Sequence, residues 1–147
     1  MAASSTAISY SSEARSNLKG ATVLIGRVFF SLIFVLAGFN HFSKQTIAYA
    51  ASQGVPLASI AVPVSGILAV LGGLSILLGY RAKVGAWLIT LFLVGVTPMH
   101  NFWAVHDPIM AQMQMIMFMK NISMLGGALL ISQVGAGAFS LDARRSR

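Results

Sequence analysis

The chain has 147 residues and a formal net charge of +7, with 56% hydrophobic and only 9% charged residues. Soluble domains carry about 25% charged residues and cannot hide this much apolar surface, so the composition excludes a soluble protein and indicates contact with the lipid bilayer. The chain contains no cysteine, which excludes disulfides, thiolate metal sites, iron–sulfur clusters and a thiol relay of its own.

The distribution of apolar residues predicts three regions. Residues 1–20 form a polar N-terminal tail, residues 21–133 form a transmembrane domain, and residues 134–147 form a basic C-terminal tail. No small-residue cleavage site follows a short apolar core. The tail and the first apolar segment therefore predict a signal anchor that stays on the protein.

Four apolar stretches predict an all-α, four-helix transmembrane bundle, because each can cross a hydrocarbon core of roughly 30 Å at about 1.5 Å per residue. The stretches are Ala21–Phe42, Ile60–Gly79, Val84–Trp103 and Ile109–Ser132. Between the first two, the segment 47–51 predicts a short interfacial helix or an ordered loop. Before the fourth, Asp107 and Pro108 predict a helix start, since Asp caps free amides and Pro suits the first helical position.

The basic residues predict the orientation of these spans. Seven of the ten Lys and Arg residues fall on one side of a four-span chain, whereas the opposite connections hold only Lys44. The positive side of a membrane protein is cytoplasmic, so we expect both termini in the cytoplasm of a multi-pass protein in a bacterial inner membrane. The grouping of these residues beside apolar segments, without interleaved aromatics, argues against nucleic acid as a partner. The seven are Arg15, Lys19, Arg81, Lys83, Arg144, Arg145 and Arg147.

Small residues predict where the helices pack. Ser65, Ala69 and Gly73 recur every four residues on the second span, and Ser123 and Gly127 do so on the fourth. Small side chains at this spacing let helix backbones approach closely in a membrane. We therefore expect both faces to contact a neighbouring helix.

Two residues inside the spans have local consequences. Arg27 lies about 7–8 Å into the first span by helical rise, and we expect its side chain to snorkel to the cytoplasmic surface. Pairing inside the bundle is the alternative, but the spans hold no carboxylate to receive it. Pro98 removes a backbone amide, so we expect the third span to kink just below His100.

Polar side chains concentrate at the non-cytoplasmic ends of the spans and predict a ligand site. His41, His100 and Lys120 can hydrogen-bond the carbonyl oxygens of a quinone, with Trp103 or Phe102 beside its ring. Polar groups in a membrane cost free energy, so several that converge on one place indicate a functional site. The alternative is an interfacial belt, where polar residues simply meet headgroups and water. The candidate residues are Asn40, His41, His100, Asn101, Trp103 and Lys120, and the wider group adds His106, Asp107, Gln112, Gln114 and Asn121.

Metal binding is a weaker interpretation of the same residues. The three histidines can bind zinc or copper, but the only nearby carboxylate, Asp107, is expected to cap a helix. The methionines of the fourth span lie on opposite faces, with Met113 and Met117 on one and Met115 and Met119 on the other. This distribution favours packing over a Cu(I) site.

The sequence lacks the groups of a self-sufficient enzyme. Its only acidic residues are Glu13, Asp107 and Asp142, so no paired carboxylates or buried proton relay can form within the spans. No serine or threonine lies in a nucleophile elbow. We therefore expect a protein that works with a partner.

A set of short segments recurs in a characteristic order and spacing between about Arg27 and Asp142. The set is Arg27, Phe34–Gly38, Leu71–Gly73, Leu78–Gly79, Arg81, His100, Asn121–Gly127 and Phe139–Asp142. Together these segments resemble DoxX-like membrane proteins. The resemblance implies a four-helix membrane fold and an association with redox systems, since relatives include membrane subunits of thiosulfate:quinone oxidoreductases and partners of detoxification enzymes. The chain differs from this pattern at Ala69, where many relatives carry a glutamate.

The sequence thus predicts a DoxX-like membrane subunit or accessory protein of a redox system, with quinone as the candidate ligand. Its expected partners are the lipid bilayer and other membrane or redox proteins. Two alternatives stay open. One is a non-catalytic structural subunit that packs against a larger membrane complex, and the other is a transporter of a small solute or metal.

Overall fold

A computed structural model describes residues 2–145, with side chains from residue 13 onward, so Arg147 lies outside the described residues. Four helical segments are long and apolar enough to cross a membrane, which confirms the predicted all-α, four-span architecture. Two 3₁₀ turns, Thr97–Met99 and Phe102–Ala104, extend the third span beyond its α-helix. The α-helices are α1 (Ala2–Asn40), α2 (Lys44–Ser52), α3 (Ala58–Leu78), α4 (Ala82–Val96), α5 (Pro108–Val134) and α6 (Leu141–Arg145).

Helix α1 is longer than the membrane is thick. It runs unbroken for 39 residues from Ala2, so the predicted polar tail is helical and continuous with the first span. Residues 2–19 contain no proline or glycine to stop a helix. At about 1.5 Å per residue the helix is roughly 58 Å long, about twice the hydrocarbon core.

The spans pack in chain order, with α1 on α3, α3 on α4 and α4 on α5. Glycines allow the first two of these contacts. A Cβ atom built on Gly66 would lie 2.9 Å from the carbonyl oxygen of Gly38 in α1, and one on Gly72 would lie 2.9 Å from that of Gly85 in α4. Both distances are shorter than real Cβ contacts, so the backbones touch where no side chain fits.

The predicted small-residue faces are confirmed on α3 and only half confirmed on α5. Ala69 is 1% exposed, and a Cβ atom on Gly73 would meet the main-chain nitrogen of Val35 at 3.2 Å. On α5, Gly127 receives the ring of Phe30, but Ser123 is exposed. The expectation was wrong for Ser123 because α1 and α5 meet through a large aromatic side chain, which holds their backbones apart.

The connections at the end of the bundle that carries residues 41–57 and 97–107, called here the histidine end, follow local rules. Ser43 accepts a hydrogen bond from the amide of Thr46 at 3.2 Å, and the short helix α2 forms as one of the two predicted alternatives. Asp107 accepts one from the amide of Met110 at 2.8 Å, which confirms the predicted cap of α5. These caps fix where α2 and α5 begin.

Pro98 ends α4 instead of kinking it. The α-helix stops at Val96, and the two 3₁₀ turns follow. The hydroxyl of Thr97 donates to the carbonyl oxygen of Leu93 at 2.5 Å, so one of the last helical carbonyls is satisfied by a side chain. The α-helix is thus interrupted just below His100, where a kink was expected, and the chain does not return to α-helical geometry after the proline. His100 therefore lies in a turn.

The opposite end, called here the basic end, carries residues 79–83 and 135–145. The C-terminal segment folds back onto the α3–α4 connection. Asp142 accepts hydrogen bonds from the amides of Arg81 and Ala82 at 2.8 and 3.1 Å, and its own amide donates to the carbonyl oxygen of Gly79 at 2.9 Å. The carboxylate thus caps α4, and the predicted basic tail is docked against the bundle up to Arg145.

Arg27 is buried at the basic end, with 3% of its surface exposed, and does not snorkel into water as expected. Its guanidinium donates to the carbonyl oxygens of Ala136, of Phe139 at 3.0 Å and of Leu77 at 3.5 Å. The side chain satisfies free carbonyls at the end of α3 and in the C-terminal segment. The expectation failed because main-chain oxygens, which sequence composition does not reveal, replace both water and a carboxylate.

Candidate functional site

Two neighbouring cavities lie at the histidine end. The first, called here the α2 cavity, has a volume of about 230 Å³ and lies between α2, α3 and the turn after α4. The second, called here the α5 cavity, has a volume of about 190 Å³ and is bordered by α1, α4 and α5. They share His41, Val96 and His100 as lining residues. The two predicted histidines therefore line the same two cavities, although they come from different spans.

His41 is positioned by the end of α1. Its Nδ1 atom lies 3.1 Å from the carbonyl oxygen of Ala37, and its ring packs edge-on against Phe92 at 5.6 Å between centroids. A carbonyl oxygen only accepts hydrogen bonds, so Nδ1 carries the proton of the neutral ring. Nε2 of His41 is then a hydrogen-bond acceptor.

His100 is positioned by α5, although it belongs to the turn after α4. Its Nδ1 atom lies 2.7 Å from Oε1 of Gln114. The amide oxygen of Gln114 accepts this hydrogen bond, so Nδ1 of His100 carries the proton of the neutral ring. Nε2 of His100 is then also a hydrogen-bond acceptor. The non-helical turn at Pro98 makes this contact available, because it frees His100 from the direction that α4 would impose.

Asn121 and Lys120 supply hydrogen-bond donors on the α5 side of the α5 cavity. Asn121 is 5% exposed, and within the described residues its side-chain amide has no hydrogen-bond partner. Its amide atoms are not fully buried, because Nε of Arg27 is the only buried side-chain nitrogen or oxygen without a partner among the described residues. The amide can therefore donate to a ligand in this cavity. Lys120 is exposed, and its ammonium lies 3.3 Å from the sulfur of Met117.

The other three predicted site residues do not line either cavity. Asn40 is exposed, and Asn101 is half-buried. Trp103 is 64% exposed and packs against Phe102 and Phe118, with ring centroids 5.1 and 6.0 Å away. An exposed aromatic cluster at a span end is typical of the membrane interface.

Two residues outside the candidate set contribute to the site. Gln114 orients His100, and Asn121 lies in the α5 cavity. Their signal in the sequence was the same as that of the chosen residues, a polar side chain in an apolar span. The rotation of each helix about its axis decides which polar residues face inward. A helix that is apolar on all sides has no sequence pattern that specifies this rotation.

The α5 cavity suits a small, flat, oxygen-bearing ligand that is neutral or anionic. Its polar groups are two imidazoles, an amide and an ammonium, and its apolar walls include Phe34, Phe92 and Met124. No carboxylate lines it. Among residues 13–145, no group of three or more His, Cys, Asp or Glu residues lies close enough to hold a metal ion.

The α5 cavity is bordered by residues that face outward between α1 and α5. Ile33 is 39% exposed, and Ala37 and Lys120 are also exposed. In a bilayer these positions contact lipid, so a hydrophobic ligand has a lateral route to the cavity. A larger cavity of about 730 Å³ lies at the basic end, away from the histidines.

Comparisons with known proteins place this architecture among bacterial membrane proteins. The sequence model of the DoxX family matches residues 22–107. The chain is 32% identical to the inner membrane protein YphA of Escherichia coli, over 83% of this chain and 89% of the relative. It is also 32% identical to the inner membrane protein YqjF of the same organism, over 85% of this chain and 92% of the relative. No solved structure matches the chain significantly.

Proposed function

The chain belongs to the DoxX family, and on that premise we propose that it is a membrane subunit or accessory protein of a redox system, with a quinone or quinol as the ligand of the α5 cavity. Its four apolar helices make it a multi-pass membrane protein. The relatives named as inner membrane proteins support residence in a bacterial inner membrane.

The observation that carries the ligand proposal is that the side-chain amide of Asn121, which has no hydrogen-bond partner within the described residues, lines the same cavity as two imidazoles. The amide of Asn121 and the ammonium of Lys120 donate to quinone oxygens, and Nε2 of His41 or His100 accepts a hydrogen bond from a quinol hydroxyl. Both redox forms thus find partners.

The size of the α5 cavity is consistent with a headgroup. At about 190 Å³ it is smaller than the roughly 300–1,000 Å³ of pockets that enclose a drug-sized ligand. A single substituted ring would occupy it, while the isoprenoid tail stays in the bilayer between α1 and α5. Electrons would pass to a partner protein, since this chain has no cysteine for thiol chemistry.

We expect His100→Ala to weaken binding of a short-chain ubiquinone analogue by about tenfold, which corresponds to about 1.4 kcal/mol. The measurement is quenching of tryptophan fluorescence in purified protein in nanodiscs. His106→Ala is the matched control, because His106 is exposed and lines neither cavity. Equal affinity in the two variants, with both folded, would rule out the site.

A structural role is the second candidate, favoured by the exposure of α5. Most of its surface points away from the bundle, with Ile109 and Leu130 71% and 69% exposed. Such a surface contacts lipid or another membrane protein. Absence of quinone binding, together with co-purification of a stoichiometric membrane partner, would favour this role.

We also propose that the basic end is cytoplasmic, which follows from the positive-inside rule. Arg27, Arg81, Lys83, Arg144 and Arg145 all lie at this end, whereas Lys44 and the span residue Lys120 lie toward the other.

Cysteine labelling tests this orientation directly, because the chain has no native cysteine. A membrane-impermeant maleimide added outside intact inner-membrane spheroplasts should modify a cysteine at Gln53, in the exposed loop of the histidine end, and spare one at Lys83. In inverted vesicles the pattern should reverse. Modification of Lys83→Cys in intact spheroplasts would contradict the orientation.

A further inference from the structure

We propose that the cavity at the basic end binds a phosphoryl anion, from a phospholipid headgroup or from free phosphate. The cavity has a volume of about 730 Å³, the largest of those described. Asn17, Arg27, Ser140 and Arg144 are among its polar lining residues, and no carboxylate lines it. This site is separate from the quinone proposal and does not depend on it.

The first argument is that Arg27 has no ion-pair partner in direct contact among the described residues. Its guanidinium contacts only main-chain oxygens, and its Nε atom is buried without a hydrogen-bond partner. The nearby carboxylate of Asp142 offsets part of the charge from a distance, while both of its oxygens accept amide hydrogens at the start of α4. Carbonyl dipoles solvate the cation without neutralising it, so an anion in direct contact would stabilise it further.

The second argument is the free guanidinium of Arg144. This residue is exposed and lines the same cavity, and within the described residues its side chain has no hydrogen-bond partner. Its neighbour Arg145 differs, because its guanidinium lies 5.2 Å from the centroid of the Tyr80 ring. That contact also lowers the pKa of Tyr80, chiefly through a hydrogen bond from Arg145 to the phenolic oxygen. Of the two arginines, only Arg144 faces the cavity of Arg27.

The third argument is depth. Arg27 contacts carbonyls at the end of α3 and in the segment after α5, so its guanidinium lies level with the helix ends. This is the level of lipid headgroups, and the apolar side chains of Leu24, Leu77 and Leu78 line the cavity beside Arg27. A phosphate between Arg27 and Arg144, with acyl chains along these leucines, would satisfy both parts of the cavity.

Lipid retention tests the site in the full-length protein. After reconstitution with equal amounts of phosphatidylglycerol and phosphatidylcholine, native mass spectrometry should show phosphatidylglycerol retained in preference. Arg144→Ala should reduce that preference roughly tenfold, as expected for the loss of a charge-assisted hydrogen bond to the phosphate. Arg145→Ala is the matched control with the same charge change, and it should keep the preference.

A second arm separates the two sources of phosphate. In lipid-free detergent, inorganic phosphate should raise the melting temperature of the wild type if the site takes the free anion, and Arg144→Ala should remove that shift. Dependence on Arg144 in either arm supports the site and assigns its source. Equal effects of Arg144→Ala and Arg145→Ala in both arms would overturn the proposal, since they would indicate diffuse charge attraction only.

Discussion

Replacing Gly85 by leucine should destabilise the bundle by about 3 kcal/mol, at the upper end of the usual cost of overpacking. A Cβ atom at this position would lie 2.5 Å from the hydroxyl oxygen of Ser75 and 2.9 Å from the carbonyl oxygen of Gly72. Ser75 cannot move away freely, because its hydroxyl donates to the carbonyl oxygen of Tyr80 at 2.7 Å and supports the α3–α4 turn. The backbones of α3 and α4 would have to separate.

Gly95→Leu is the matched control on the same helix. A Cβ atom on Gly95 meets nothing within 4 Å, and the residue is exposed. Leucine there should leave stability unchanged or raise it by up to about 1 kcal/mol through helix propensity. Denaturant unfolding in detergent measures both variants. Equal stability of Gly85→Leu and wild type would mean that α3 and α4 are farther apart than described.

Replacing Arg27 by leucine should cost at least about 3 kcal/mol and release the C-terminal segment. Three carbonyl oxygens would lose their donor, and each buried acceptor left unpaired costs about 1–3 kcal/mol. Leucine also inserts into a membrane more favourably than arginine, by about 2.5–3.5 kcal/mol on insertion scales. This gain applies to the folded chain and to the unfolded, inserted chain alike, so it largely cancels in the free energy of unfolding.

Hydrogen exchange distinguishes this effect from general loosening. The amide of Asp142, which donates to the carbonyl oxygen of Gly79 at 2.9 Å, should exchange faster in Arg27→Leu, as should its neighbours in 135–143. Arg15→Leu removes the same charge from an exposed position on the same helix and should change neither exchange nor stability. Arg27→Lys should restore neither the stability nor the slow exchange, because a single ammonium cannot reach all three carbonyl oxygens to which the planar guanidinium donates. Unchanged exchange in Arg27→Leu would indicate that the side chain of Arg27 extends to water and does not hold the C-terminal segment.

The spans could be predicted from the sequence because hydropathy over about twenty residues reports a property of each segment alone. The cap at Asp107 is equally local, since acceptor and donor are three residues apart. The position of Arg27 could not be predicted, because its partners lie 50 to 112 residues away and are main-chain oxygens. The interruption of the third span near Pro98 was anticipated only as a kink, since whether a helix resumes after proline depends on what it packs against.

The sequence indicated only some of the residues that line the α5 cavity, for a related reason. His41, His100 and Lys120 do line one cavity, whereas Asn40 and Trp103 do not. Asn40 is one residue from His41, but successive helical residues point about 100° apart, so neighbours in sequence face different surroundings. The spans are apolar on nearly every side, and their sequence therefore carries little information about rotation. Asn121 became distinguishable from Lys120 only by its burial in the folded protein.

The hydrogen bonds of Arg27 also constrain how the protein is made. Its acceptor Leu77 is synthesised 50 residues after it, and its acceptor Phe139 follows 112 residues after it. At about 5–20 residues per second, a ribosome needs on the order of 5 to 20 s to add the longer stretch. During this time the first helix carries a cation that lacks part of its final set of acceptors. The first helix therefore reaches its final contacts only after the segment that follows α5 has been synthesised.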